Sequence, residues 1–451
     1  MSSYPSRRIR PLLIVEAANP KLTSASLVGW SCATAVAKET DAHLVTHWRN
    51  RDDFLGAGLV EGRDFTAIDT RRAQHLAWSA AKWLSPRGTF SWSLYAAFSN
   101  LVYPVFERAL WQQFEPRLRA GEFDLVHRIL PLSPTTPSPL AARLKTIGVP
   151  FVLGPLNGGV PWPAGFDHLR REEKDRGGLL RPLYQLLPGI HATRRNASAI
   201  LAGSRSTARE IPASLLDRVF PMPENAIDPA RFPLEPRPPR KPGPLRVAFV
   251  GRLVALKGVD MLIEAALPFI KAGTLSLDLI GDGPARASLE DRIRAAGLDP
   301  APLLPGWIDH TALPGRLREA DLFVFPSVRE FGGGAVLEAM ALGVPPVVLN
   351  HGGPPELVPP GTGLILPILS REDIVRRLGD LFSRYLADPA PLADMGRAAQ
   401  EHIRTHLTWE AKARQIVEIY RWILEPGSPR PDWGDPLGWP AGAWPIATGD
   451  A

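Results

Sequence analysis

The chain has 451 residues, 45% hydrophobic and 22% charged, with a formal net charge of +6. That is too long for one ordinary core and implies two domains or three, in a composition typical of a soluble globular protein. Cys32 is the only cysteine, which excludes an intrachain disulfide and a cysteine-built metal site and fits a reducing compartment. Residues 1–240 carry 31 Lys+Arg against 21 Asp+Glu, +10, and the remainder 21 against 25, −4. A basic first half suits an anionic membrane surface, a phosphorylated acceptor or nucleic acid, or is simply solvated arginine.

From the start, MSSYPSRRIRPLLIVEAANP has the arginines and apolar residues of a signal peptide, but Leu12 to Val15 is too short a run and Glu16 interrupts it. LLIVEA (12–17) reads instead as a buried strand. No uncharged apolar stretch approaches the roughly 18 residues of a membrane helix, so the expected location is the cytoplasm, with peripheral contact on the inner membrane face left open. Leu27 to Lys38 reads as a helix and HLVTHW (43–48) as a strand. Residues 73–114 then concentrate aromatics: Trp78, Trp83, Phe90, Trp92, Tyr95, Phe98, Tyr103, Phe106, Trp111 and Phe114. They form either a helical insertion (73–120) with its own subsidiary core or an amphipathic lobe for an apolar acceptor or membrane interface. DLVHRI (124–129), PFVLGP (150–155) and AIL (199–201) read as strands, the last leading into a helix capped by Ser204 or Ser206.

The stretch 221–245 places nine prolines in its first 24 residues and reads as a domain boundary, because proline cannot join a central strand. Beyond it the alternation restarts: RVAFVG, LSLDLIG, DLFVFPS and PPVVL as strands, with helices between and after them. Strands alternating with helices imply parallel sheets covered on both faces, with ligands beyond the carboxyl ends of the strands. The expected organisation is a first domain over 1–235, a second over 236–408, a helix over 409–425 that crosses back, and a Pro/Trp-rich tail over 426–451.

The chemistry concentrates in the second half. VGRLVALKGVD (250–260) places Gly251 at a strand end and Arg252 and Lys257 in the following loop. A planar guanidinium and a point-charge ammonium at a sheet edge suit a diphosphate. GDGP (281–284) also follows a strand; it lacks the third glycine of a dinucleotide fingerprint, and no GxxxxGK[ST] loop occurs. REFGGGAVLE (329–338) then puts Glu330 beyond the strand DLFVFPS. Gly332, Gly333 and Gly334 allow close backbone approach, and a helix expected to start near Ala335 and Val336 offers free N–H groups to phosphate. Glu338, about one turn in, is placed to accept from a ribose diol, and Glu330 from a sugar. Taken singly, each of these residues also fits a structural role.

The spacing E330-FGGGAVL-E338, together with GRLVALKGVDMLIEA, LIGDGP, ADLFVFPS and EAMALGVPPVV, resembles the family-4 (group 1) retaining glycosyltransferases over about residues 245–367. The resemblance implies a GT-B architecture: α/β, two Rossmann-like doubly wound parallel-sheet domains facing an interdomain cleft. It implies that Arg252 and Lys257 hold the nucleotide diphosphate, Glu338 the ribose and Glu330 the donor-sugar hydroxyls. The first half matches more loosely. ANPKLTSASLVGW looks like the family's first-strand loop, with Gly29 its active-site glycine. DLVHRI supplies His127 at the position of a histidine near the donor sugar, and GPLNGG (154–159) resembles a glycine loop with Gly158 and Gly159. ENAIDPARF matches the family's interdomain N-G-V-D-x-x-x-F pattern except that Ala226 replaces glycine.

The resemblance further implies transfer of a sugar from a UDP- or GDP-sugar to a glycan or lipid-linked acceptor, with Glu330, His127, Arg252 and Lys257 around the reaction. A donor phosphate oxygen would deprotonate the acceptor, and the two cations would stabilise the leaving group. No tightly bound cofactor and no metal is expected. No nucleic-acid recognition module is apparent. Rival readings are a nucleotide-sugar epimerase or phosphorylase of the same fold, although no pyridoxal phosphate lysine pattern matches, and a non-catalytic membrane-associated binding protein.

Overall fold

The computed structural model describes residues 8–71, 79, 92–172 and 188–433. Its first sheet comprises β1 (Pro11–Val15), β2 (His43–His47), β3 (Phe65–Ile68), β4 (Leu125–Leu130), β5 (Phe151–Leu156), β6 (Ala199–Ala202) and β7 (Val219–Pro221). They lie in the order β3-β2-β1-β4-β5-β6-β7, every pair parallel. The central strands are buried along their whole length, PLLIV in β1 and LVHRIL in β4, as expected where helices cover both faces. The longer helices of this unit are α1 (Ala25–Glu39), α2 (Trp92–Arg119), α3 (Pro139–Thr146) and α4 (Pro188–Asn196).

The second sheet comprises β8 (Leu245–Val250), β9 (Leu275–Ile280), β10 (Leu322–Phe325), β11 (Pro346–Leu349) and β12 (Leu364–Leu366), in the order β12-β11-β10-β8-β9 and again parallel. Its longer helices are α5 (Val259–Lys271), α6 (Arg286–Ala295), α7 (Gly334–Ala341), α8 (Arg371–Ala387) and α9 (Pro391–His406). Their apolar faces follow the helical repeat. In α8, Ile374, Leu378, Leu381, Phe382 and Tyr385 are buried, while Ser370 caps the start by accepting from Asp373 N at 3.2 Å. The strand order reverses between β8 and β10, whose carboxyl ends therefore flank a topological switch point, the preferred ligand position in open α/β sheets.

Two α/β units result. The first draws its described residues from Met1–Gly159, Arg176–Glu224 and Lys412–Asp432, the second from Val160–Asp175, Asn225–Ala411 and Trp433–Ala451. The division differs from the expected boundary at 235. Ile227 N donates to Leu407 O at 2.8 Å, Trp409 N to Ile227 O at 3.1 Å, and Phe232 and Phe166 are buried in the second core. The proline-rich stretch is pinned to that unit by charge. Buried Asp321 accepts from Arg240 Nε at 3.1 Å and Arg246 N at 3.0 Å, and Arg237 Nε donates to Arg318 O at 3.0 Å. The last helix, α10 (Trp409–Leu424), starts among residues of the second unit and belongs to the first from Lys412 onward, where Tyr420 is buried and Trp422 packs edge-on against Phe220.

Of the ten clustered aromatics, Trp78, Trp83 and Phe90 lie outside the described residues. Tyr103, Phe106, Trp111 and Phe114, on α2, are all buried. These four pack into the first unit's core and are not available as a surface for an acceptor or membrane; the side chains of Trp92, Tyr95 and Phe98 lie outside those described. No helix among the described residues is long and apolar enough to cross a membrane.

Candidate active site

The carboxyl ends of β8 and β10 carry the loops that the motifs occupy. After β8 the chain passes Gly251 and Arg252, makes a short 3-10 turn at Ala255–Lys257 and enters α5. After β10 it runs through Arg329 and Glu330 to α7, which starts at Gly334, one residue before the expected position. Gly333 is the N-cap with φ 64°, a left-handed conformation that glycine adopts without penalty. A Cβ there would also press to 3.3 Å on Pro354 and Leu357.

Between the loops lies a cavity of about 420 Å³ lined by Gly251, Arg252, Lys257, Phe325, Arg329, Glu330, Gly333, Gly334 and Ala335, among others. Three cations and one carboxylate thus surround a space beside a helix start, at the positive end of the helix dipole. Lys257 Nζ is ion-paired with a Glu330 carboxylate oxygen, and it also sits 4.8 Å from the centroid of the Phe325 ring. Arg329 opens the stretch REFGGGAVLE but carries no expected role there. Its guanidinium lies 4.9 Å from the Trp162 ring centroid and 5.4 Å from that of Phe331, and Nε donates to Val160 O at 3.0 Å. Its adjacency to Glu330 is the one signal in the sequence, but its bracing by residues near 160 is long-range.

Glu338 is placed deeper. Burial raises its carboxyl pKa to about 7, and the Arg231 guanidinium opposes that rise. It therefore titrates near neutrality and can both donate to and accept from a diol. Gly332 is buried and does not line the cavity, and the Val336 side chain is wholly inside the core. Val336 N is committed to Gly333 O at 2.9 Å. The donor contact expected of Val336 is thus corrected to a packing role, because the helix turns its side chain inward.

The first unit departs further from expectation. His127 is 0% exposed, with Nε2 2.6 Å from Gly154 O and Nδ1 2.6 Å from the Tyr420 hydroxyl. A carbonyl can only accept, so Nε2 carries the proton and Nδ1 accepts from Tyr420. Burial lowers the ring pKa to about 4, which keeps this neutral tautomer. With both nitrogens committed, His127 joins β4, β5 and α10 and has no free edge for a sugar. Gly29 lies inside α1, not in a loop. A Cβ there would be 2.2 Å from Leu130 Cδ1, so it is a helix–strand packing glycine. Gly158 and Gly159 do lie in the turn after β5, where Gly158 O accepts from Thr207 Oγ1 at 2.7 Å. Among the described residues no group of three or more His, Cys, Asp or Glu is arranged to hold a metal.

Two parallel-sheet α/β units, with a cation-lined cavity at the second sheet's switch point, define a protein of the GT-B glycosyltransferase fold. Comparison with known proteins agrees. The model of "Glycosyl transferases group 1" matches residues 233–402. The α-maltose-1-phosphate synthase of Mycolicibacterium smegmatis is 32% identical over 313 residues, 62% of this chain and 76% of that protein. The 2-deoxystreptamine glucosyltransferase of Streptomyces kanamyceticus is 30% identical over 244 residues, 51% of this chain; the match spans 62% of that relative's length. The Anabaena protein Alr3699/HepE, solved with UDP and glucose, superposes with a TM-score of 0.55 at 16% identity, over 91% of this chain and 98% of that one. The chain belongs to the group 1 glycosyltransferases.

Proposed function

We propose that the protein is a family-4, retaining glycosyltransferase that moves a sugar from a nucleotide diphosphate sugar to a glycan or lipid-linked acceptor. The observation that carries this reading is the cavity in which Arg252, Lys257 and the α7 N-terminus face the same space as Glu330. Arg252 and Lys257 bind the diphosphate, and the first-turn N–H groups of α7 add the positive end of the helix dipole. As the glycosidic bond breaks, the leaving diphosphate gains charge. The fixed cations and dipole stabilise that charge without reorganising, which is the largest catalytic contribution available here. Glu330 accepts from donor-sugar hydroxyls, and Glu338 from the ribose diol. A donor phosphate oxygen takes the acceptor proton on the face the leaving group vacates, which retains the anomeric configuration. The basic balance of residues 1–240 favours acceptors presented at an anionic membrane surface.

The names of the relatives, a glucosyltransferase among them, and the UDP and glucose held by Alr3699/HepE support a nucleotide-sugar donor. The test is turnover of UDP-, GDP- and ADP-sugars with glycan and lipid-linked acceptors, with the product anomer read by NMR. An inverted product overturns the retaining assignment. Unchanged turnover in Glu330→Ala and Lys257→Ala overturns the site.

A further inference from the structure

At the amino edge of the second sheet, away from the cavity beside Glu330, lies a larger cavity of about 760 Å³. Asp321, the residue before β10, lines it, as does Gly343, just past the end of α7. The start of α7 lines the Glu330 cavity. The two spaces therefore sit at opposite ends of one helix of eight residues, about 12 Å long. The volume is that of a small-molecule site. Pro236, Pro238, Pro239 and Leu392 give the cavity an apolar wall. Four guanidiniums also line it, from Arg237, Arg240, Arg397 and Arg404, against the two carboxylates of Asp321 and Glu401.

Pinning the proline-rich stretch uses only part of these guanidiniums. Arg237 donates from Nε and Nη2, and so does Arg240, while Nη1 of each makes no hydrogen bond to a described residue. Buried Asp321 is shared by three arginines, with Arg240 Nε at 3.1 Å, Arg237 Nη2 at 3.3 Å and Arg246 Nη2 at 3.5 Å. Arg246 has a second carboxylate, Glu319, at 3.6 Å, whereas among the described residues Arg237 and Arg240 have Asp321 alone. Burial holds the Arg237 pKa below the usual arginine range; Asp321 opposes this, and the Arg246 and Arg318 guanidiniums add to it. On α9, Arg397 pairs with Asp394 and Arg404 with Glu401. Both pairs are exposed, contribute little, and yield to a stronger acceptor. The cavity thus carries excess positive charge and spare N–H donors, which match the oxygens of a phosphate. Among the described residues that line it none is aromatic, so a nucleobase has nothing to stack on.

We propose that this cavity is a second ligand site, separate from the one beside Glu330, and that it takes a small phosphomonoester. The phosphate accepts from the spare N–H groups of Arg237 and Arg240, with Arg397 and Arg404 adding charge on the solvent side. The carbon skeleton lies against the prolines and Leu392. The site does not require the nucleotide-sugar reading of the other cavity.

The experiment is calorimetric binding of inorganic phosphate, glucose 1-phosphate and glucose to the full chain and to three variants. These are Arg240→Gln, the double variant Arg397→Ala/Arg404→Ala, and Arg252→Ala/Lys257→Ala in the other cavity. The parent binds glucose 1-phosphate and inorganic phosphate but not glucose. Arg240→Gln weakens glucose 1-phosphate by about 10- to 150-fold, the loss of a charged hydrogen bond, and Arg252→Ala/Lys257→Ala retains the binding. The α9 double variant changes exposed side chains, keeps the parental thermal midpoint and also binds more weakly. If Arg240→Gln lowers that midpoint, the α9 variant alone decides. The proposal is overturned if binding is lost in Arg252→Ala/Lys257→Ala and kept in the other two, since the phosphate then lies beside Glu330; that outcome leaves the donor-site reading intact. Glucose that binds as well as glucose 1-phosphate overturns it too, because recognition is then not of phosphate. A parent chain that binds none of the three overturns this site without touching the nucleotide-sugar reading.

Discussion

Inside the cavity of the second unit, Lys257 and Glu330 are ion-paired with each other, although the proposed function assigns one to the diphosphate and the other to the sugar. A diphosphate arriving at Lys257 competes with the Glu330 carboxylate for the same ammonium. On the proposed function, its binding would release Glu330 to accept from sugar hydroxyls, so that occupation of one half of the site would ready the other.

The pair makes the two residues separable by experiment. Glu330→Gln removes the competing charge, so affinity for the nucleoside diphosphate holds or rises several-fold while sugar transfer falls by about 10²–10³. Lys257→Ala lowers nucleoside diphosphate affinity by about 10- to 150-fold, the loss of a charged hydrogen bond. Calorimetry beside steady-state turnover reads both; a Glu330→Gln variant that binds nucleotide far more weakly contradicts the competition.

Glu338 makes stability depend on pH near neutrality. Its folded pKa, about 7, lies above its ordinary value because of burial. Its contribution is therefore full at low pH and is lost as pH rises through 7. Glu338→Gln, which cannot ionise, should gain about 3 kcal/mol on the parent between pH 4.5 and pH 9. Denaturant titrations across that range measure the difference; a constant gap between the two proteins refutes the assignment.

His127 acts with the opposite consequence. Its folded pKa is lowered to about 4 by burial, so the unfolded chain takes up a proton that the folded chain refuses. Stability is retained above the ordinary histidine pKa and is lost by about 3 kcal/mol as pH falls from 6.5 to 4. His127→Asn should lose that part of the acid sensitivity. Tyr420→Phe, which deprives Nδ1 of its donor, should cost about 1–3 kcal/mol at pH 7 with the nucleotide affinity unaltered.

Gly29 gives a direct contrast between packing and catalysis. Gly29→Val drives a side chain into Leu130 and should lower stability by about 1–3 kcal/mol, leaving nucleotide affinity at its parental value. A variant with normal thermal stability and lost binding would return Gly29 to the active site.

Much of the second unit is legible in the sequence because its signals are local. RVAFVG and DLFVFPS are continuous apolar runs of strand length, and Arg252, Lys257, Gly333 and Glu330 each come within a few residues of such a run. The start of α7 is readable to within one residue because the glycines mark it. Arg231 and Arg329 escape such a reading although they lie in ENAIDPARF and REFGGGAVLE, because the pattern of those stretches rests on their neighbours. Arg231 falls in the linker, and Arg329 is braced by Val160 and Trp162, far away in the chain. In the first unit Gly29 and His127 mislead for one reason: a glycine in a helix and a histidine in a strand look the same whether they face a ligand or another element.

The sequence by itself determined the alternation of strands and helices, the parallel sheets that result from it, and the residue types at the carboxyl ends of β8 and β10, because these depend on periodicity and near neighbours. Only the tertiary structure decided which of those residues share a cavity and which are consumed by packing. Strand order places β8 beside β10 across 71 intervening residues, and burial decides whether Glu338 is charged and whether His127 has a nitrogen to spare. Those outcomes arise from through-space contacts and desolvation, which chain spacing does not encode.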